Sequence, residues 1–170
     1  MDWVLVELRA SPEAASDARF AALLLADGTL LAPDGSGAPT ASGLAPGAYH
    51  VIVRHRNHLD AMSLAPVTLG SGPVDLSASG AVWGTGAVVD LGGGVFGLTA
   101  GDGDGDGTVL ATDQQVIWLP AVGAAGYSPA DLTLDGSVLA DDSQTLIVPN
   151  IGRQSGVPGT ALRETPEAVE

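Results

Sequence analysis

Two copies of one unit fill much of the second half of this 170-residue chain. A shift of 29 residues lays DGDGDGTVLATDQQVIWLPAVG, from Asp102, over DLTLDGSVLADDSQTLIVPNIG, from Asp131. Asp102 then coincides with Asp131, Asp106 with Asp135, Gly107 with Gly136, Val109 with Val138, Asp113 with Asp142, Pro120 with Pro149 and Gly123 with Gly152. Whatever precedes them, these two units are expected to adopt one local structure twice and to pack against each other.

Each copy opens with alternating oxygen-bearing side chains. Loop positions 1, 3, 5, 7 and 12 are Asp102, Asp104, Asp106, Thr108 and Asp113 in loop 1, and Asp131, Thr133, Asp135, Ser137 and Asp142 in loop 2. Oxygens at these positions converge on one hard cation of calcium's kind, with position 7 using its backbone carbonyl, if residue 6 takes a positive φ for the sharp turn. Gly107 and Gly136 occupy that position. Without a cation the four aspartates of loop 1 repel one another. Two Ca2+ sites are therefore expected, loop 1 the stronger because it has four carboxylates where loop 2, with Thr133, has three. Magnesium prefers fewer protein ligands and more water. A calcium β-roll needs many tandem nonapeptides, and only one GDGDGDG run occurs.

After each loop, TDQQVIWL and DDSQTLIV are short amphipathic segments that run to a proline, so a helix of about two to three turns is expected in each copy. The chain before loop 1 is Gly-rich and β-like, so no helix enters it. Each unit is half of an EF-hand, a loop with an exit helix only. Trp118 and its counterpart Ile147 are expected in the core between the loops. Val109 and Val138, at position 8, are placed to join the two loops by a short β contact.

The first part reads as β. Residues 3–9 alternate as a strand; residues 19–26 and 29–32 flank Asp27-Gly28, a pair that favours a tight hairpin turn. The run GLAPGAYHVIVRHRNHL, from Gly43, places Tyr49, Val51 and Val53 on one strand face. Residues 65–69, 74–77, 88–91 and 95–99 are further candidate strands, about six or seven in all, which argues for an antiparallel sandwich. Gly92 to Gly94 makes a bend rather than a phosphate cradle, because no helix starts after it.

The net charge of −14 disfavours nucleic acid and anionic membrane surfaces. The acid is concentrated late: residues 98–170 hold 11 acidic and 2 basic groups, against 9 and 4 in residues 1–97. There is no cysteine, so no thiolate site exists. No apolar run is long enough for membrane insertion, and the start lacks a signal peptide's pattern, so a removed signal or excision from a longer chain is expected. Catalytic motifs are absent, and no enzyme activity is expected. His50, His55 and His58 do not share one strand face, which disfavours zinc. The basic cluster of Arg54, His55, Arg56 and His58 suits hydrogen bonding or an acidic surface on a neighbouring copy.

Two stretches carry resemblances. The G-L-x-P-G-x-Y-x-V-x-V run from Gly43 resembles a hairpin of prealbumin-like and immunoglobulin-like β-sandwich modules of secreted bacterial proteins. The tandem loops with exit helices alone resemble the type I dockerin. Residues 3–155 together resemble C-terminal modules of large secreted bacterial proteins, in which a V-R-H-R-N-H-L segment, here residues 53–59, leads through L-G-G-G-V-F-G, residues 91–97, into a dockerin-like pair. The resemblance implies an extracellular or cell-surface, calcium-bound, non-catalytic module. Departures are Thr133 at position 3, Leu110 and Leu139 at position 9, and Ala111-Thr112 and Ala140-Asp141 at positions 10 and 11, where dockerins carry the polar pairs that read a cohesin.

The expected architecture is thus a mainly β protein: an Ig-like or prealbumin-like sandwich over residues 2–98, a small dockerin-like module with two calcium loops over 99–156, and a loose tail over 157–170. The leading expectation is a calcium-binding structural or assembly module that associates with a protein partner or with other copies of itself. The alternatives are docking to a cohesin-type partner through Thr112 and Asp141, and carbohydrate adhesion through Trp83.

Overall fold

The computed structural model describes residues 1–159, and its strands are antiparallel throughout. β1 (Asp2–Arg9) lies between β2 (Ala18–Leu24) and β4 (Ala48–His55). β3 (Leu30–Leu31) extends the sheet beyond β2, while β5 (His58–Met62) and the two-residue β6 (Val67–Thr68) both pair with β4. A separate hairpin joins β7 (Val88–Gly92) to β8 (Val95–Leu98), turning through the glycines at 92 to 94.

Alternation places the core. Val6 stands opposite both Phe20 and Val53, and Val4 opposite Ala22, so one face of the sheet is apolar up to its end, where buried His55 meets Asp2. Leu76 from the connecting loop and Leu98 from β8 cover it, packing also on Ala61, Val82 and Ala87. On the reverse face Ile52 and Met62 pair across β4 and β5, and Val157 closes over them. Val157, expected to begin a loose tail, is therefore core: it is 4% exposed, and Arg9 Nη1 holds the next carbonyl, that of Pro158, at 2.7 Å. The rest of that expected tail, residues 160–170, lies outside the described residues.

The hairpin at Asp27-Gly28 forms as expected, with Gly28 at φ 85°. Two strand expectations change. The residues after Arg56-Asn57 do not continue β4 but turn back as β5, because Asn57 is drawn inward by partners far along the chain. Residues 74–77 form no strand, since the Asp75 carboxylate accepts both the backbone N–H and the hydroxyl of Ser77, competing with a ladder.

Both exit helices are present, and both run through their proline. The first is π-wound over Asp113–Trp118 and α-helical over Leu119–Ala121; the second is π-wound over Asp142–Ile147 and 3₁₀ over Val148–Asn150. A proline ring in an α-helix collides with the carbonyl four residues back. The wider π spacing, in which Leu119 N–H reaches Gln114 O and Val148 N–H reaches Ser143 O, is the local winding that accompanies Pro120 and Pro149.

The two repeat units are joined reciprocally. Val109 exchanges backbone hydrogen bonds with Arg153 and Gly152, while Val138 exchanges them with Ala124 and Gly123. The expected direct pairing of Val109 with Val138 is thus replaced: each loop pairs with the segment that follows the other copy's helix. Gly123 and Gly152, at φ 87° and 92°, turn the chain out of each helix and into that pairing. Between the copies, Ile147, Leu132 and Val109 form a core with half-buried Trp118, whose Nε1 donates to Leu139 O at 2.8 Å. Leu59 of β5 belongs to the same core, so the sheet supplies one of its walls.

Candidate metal centre

In loop 1 the carboxylates of Asp102, Asp104 and Asp106 offer one oxygen each within 4.8 Å of one another, the only such grouping among the described residues. Asp102 is buried while Asp104 and Asp106 face solvent, so the trio opens outward from an inner acid. The backbone turns as the spacing requires: Gly107 has φ 87°, and its N–H donates to Asp102 Oδ2 at 3.2 Å.

Asp113, the closing residue, lies beneath the loop and organises it. Its Oδ1 accepts the N–H groups of Gly103 and Asp104 at 2.8 and 3.3 Å, and its Oδ2 accepts Leu110 N–H at 2.8 Å. Oδ2, which takes a single N–H, keeps a second lone pair. Burial pushes the Asp113 carboxyl above its ordinary range, and the Asp104 charge pushes it in the same direction. Thr108 is half-buried and paired with Gln154 in a β bridge, and its N–H donates to Asp106 Oδ1 at 2.8 Å.

Loop 2 reproduces this network. Asp142 Oδ1 accepts Leu132 and Thr133 N–H at 2.7 and 2.9 Å, and Oδ2 accepts Leu139 N–H at 2.8 Å. Gly136, at φ 89°, donates to Asp131 Oδ2 at 3.1 Å, and Ser137 N–H donates to Asp135 Oδ1 at 2.8 Å. The differences are at positions 3 and 4. The Thr133 hydroxyl donates to Asp142 Oδ1 at 3.1 Å where loop 1 has the Asp104 carboxylate. Leu134 is held at φ 60°, the one non-glycine with positive φ among the described residues, at the place where loop 1 has Gly105 at φ 73°. The repeat imposes its backbone even on a residue that resists it.

The donor set is all oxygen, which fits a hard divalent cation and not a thiophilic or imidazole-seeking metal. Asp102, Asp104 and Asp106 would hold it in loop 1, with Asp113 and the Thr108 carbonyl completing the shell; Asp131, Thr133, Asp135, Ser137 and Asp142 are the counterparts in loop 2. Bound there, the ion would neutralise the clustered charge.

Sequence reasoning did not find the residues that seat loop 2 on the sheet. Asn57, fully buried in the β4–β5 turn, donates to the carbonyls of Asp131 and Pro129 at 2.7 and 3.1 Å. Arg56 bonds Asp2 Oδ2 at 2.7 Å and lies over the Tyr127 ring, 3.9 Å from its centroid. Arg54 pairs with Glu7 and Asp60. The basic cluster thus meets acids of its own chain. Its signal was legible as R-H-R-N-H, but its partners lie up to 75 residues away.

The turn also brings His55 and His58 together as an edge-to-face pair with centroids 4.5 Å apart, while His50 Nδ1 sits 2.9 Å from Ser63 O. The three do not meet. Burial lowers the His55 pKa below its ordinary value, against the opposing charge of Asp2. Trp83 is exposed, and its backbone N–H donates to Met62 O at 2.7 Å. Thr112 and Asp141 are exposed at the starts of the exit helices.

Comparison with known proteins returns no match: no family model, no curated protein and no solved structure corresponds to this chain.

Proposed function

We propose that this chain is a non-catalytic calcium-binding structural module of an extracellular or cell-surface protein, a β-sandwich followed by a dockerin-like pair of half EF-hands. The observation that carries the reading is the twofold recurrence of one loop network. In both copies a buried position 12 aspartate gathers three backbone N–H groups, and a buried position 1 aspartate receives the glycine at position 6. In loop 1 three carboxylates also converge. Such an arrangement stores repulsion that a divalent ion relieves, so calcium acts as a staple between the exit helices and the sheet.

Melting followed in calcium and again in chelator tests this. A site of millimolar affinity adds only about 0.4 kcal/mol at millimolar calcium, and one of micromolar affinity about 4 kcal/mol. Calcium should raise the melting temperature, and Asp104→Asn with Asp106→Asn should remove the larger share of the rise. Identical melting in both conditions would reject the proposal.

A second reading, docking to a cohesin-type or other protein partner, is favoured by the exposed apolar side chains that recur in both copies. Leu110 and Leu139, Leu119 and Val148, and Val122 and Ile151 are equivalent pairs, and all six are exposed. Substituting Leu119 and Val148 by Asp should weaken partner capture without altering calcium binding; unchanged capture would remove this reading.

A further inference from the structure

The β4–β5 turn places one positive charge against position 1 of loop 2. The Arg56 side chain is 14% exposed, and its Nη2 lies 3.8 Å from Asp131 Oδ2 and donates to the Asp131 carbonyl at 3.4 Å. Asn57 donates to the same carbonyl. The Asp131 carboxylate meanwhile accepts the N–H groups of Asp135 and Gly136, each at 3.1 Å. At 3.8 Å Arg56 acts on that carboxylate mainly through charge, and steadies the backbone through the carbonyl. Its other face is shared with Asp2 and Tyr127.

A divalent ion seated on Asp131 and a guanidinium within a few ångströms of the same carboxylate repel each other, and the burial of both groups leaves that repulsion poorly screened. We propose that Arg56 is a resident counter-ion of loop 2: it partly replaces the cation when none is bound, and so lowers the loop's calcium affinity. Asp2 moderates this by dividing the charge of Arg56. The inference rests on the calcium reading above and adds to it a reason, separate from Thr133, for unequal loops. It also makes the N-terminal strand a participant in loop 2.

The test uses the full chain with loop 1 disabled by Asp104→Asn and Asp106→Asn, so that calcium titration calorimetry reports loop 2. In that background Arg56→Gln is expected to bind calcium about tenfold tighter. Arg56→Lys should stay within about threefold of the parent, because the charge remains. Asp2→Asn should bind more weakly, since Arg56 then leans wholly on Asp131. If Arg56→Gln does not fold, Arg56→Met keeps the stem on Tyr127 and serves in its place. Loss of a merely structural anchor would weaken binding in both the Arg56 and Asp2 variants; opposite signs are what charge competition requires. Arg56→Gln no tighter than the parent, or Asp2→Asn tighter, overturns the inference while the calcium reading survives. No calcium heat in the unsubstituted chain overturns both.

Discussion

Glu7 is the charged residue whose loss should cost most. Its side chain is fully buried on the reverse face of the sheet, where Arg9 Nε approaches Oε1 at 2.5 Å and Arg54 Nε approaches Oε2 at 3.0 Å. Arg19, directly opposite on β2, adds a longer contact at 3.4 Å. Removing one member of a buried ion pair costs about 3 to 5 kcal/mol, because the remaining charge stays desolvated. Glu7→Gln keeps the shape and one acceptor, and Arg54 retains Asp60, so a loss near the lower end, about 3 kcal/mol, is expected. For a domain of this size each kcal/mol shifts melting by about 2 to 4 °C, so the midpoint should fall by about 6 to 12 °C at pH 7. Burial works to raise the Glu7 carboxyl, but the hydrogen bond and charge of Arg9 and Arg54 prevail and hold it below its ordinary value of 4.5. A group so lowered contributes its stability in full above the unfolded value and loses it as pH falls through the folded one. The gap between the two proteins should therefore be widest near neutrality and close as the pH drops below 4.5. Thermal and urea unfolding at several pH values measures both effects. A midpoint unchanged at pH 7, or a gap as wide in acid as at neutrality, would refute this account of the network.

Substitutions at two further positions probe the loops and their attachment. At Leu134, held at φ 60°, the order of stability should be Gly and Asn at or above Leu, with Val lowest by about 1 kcal/mol; melting of the four proteins checks it, and Val outranking Gly would contradict the strain. An ideal Cβ on Gly86 would stand 2.3 Å from the Gln154 carbonyl oxygen and 2.8 Å from its nitrogen, so Gly86→Ala must push the C-terminal segment away from the chain that leads into β7, at a cost of about 1 to 3 kcal/mol. Its urea midpoint should fall, and proteolysis near Gly152 should quicken.

What the sequence determined by itself is the part governed by local rules. The repeat, the positive φ of Gly107 and Gly136, the Asp27-Gly28 hairpin and the alternation of β1 and β4 all arise from residues close in the chain, where spacing dictates geometry. The trio of Asp102, Asp104 and Asp106 was legible for the same reason. Contacts between distant residues were not. Nothing in the local pattern says that Val109 pairs with Arg153 instead of Val138, since any exposed β segment offers the same N–H and C=O groups, and only the reciprocal packing of two copies selects among them. Arg56 likewise reads as part of a basic cluster suited to hydrogen bonding or to a neighbouring copy until the β4–β5 turn brings it to Asp131, and Val157 as tail until Ile52 and Met62 need a cover. The tertiary structure decided what the loops are fastened to: loop 2 rests against a guanidinium carried by the β4–β5 turn, a contact no local pattern specifies.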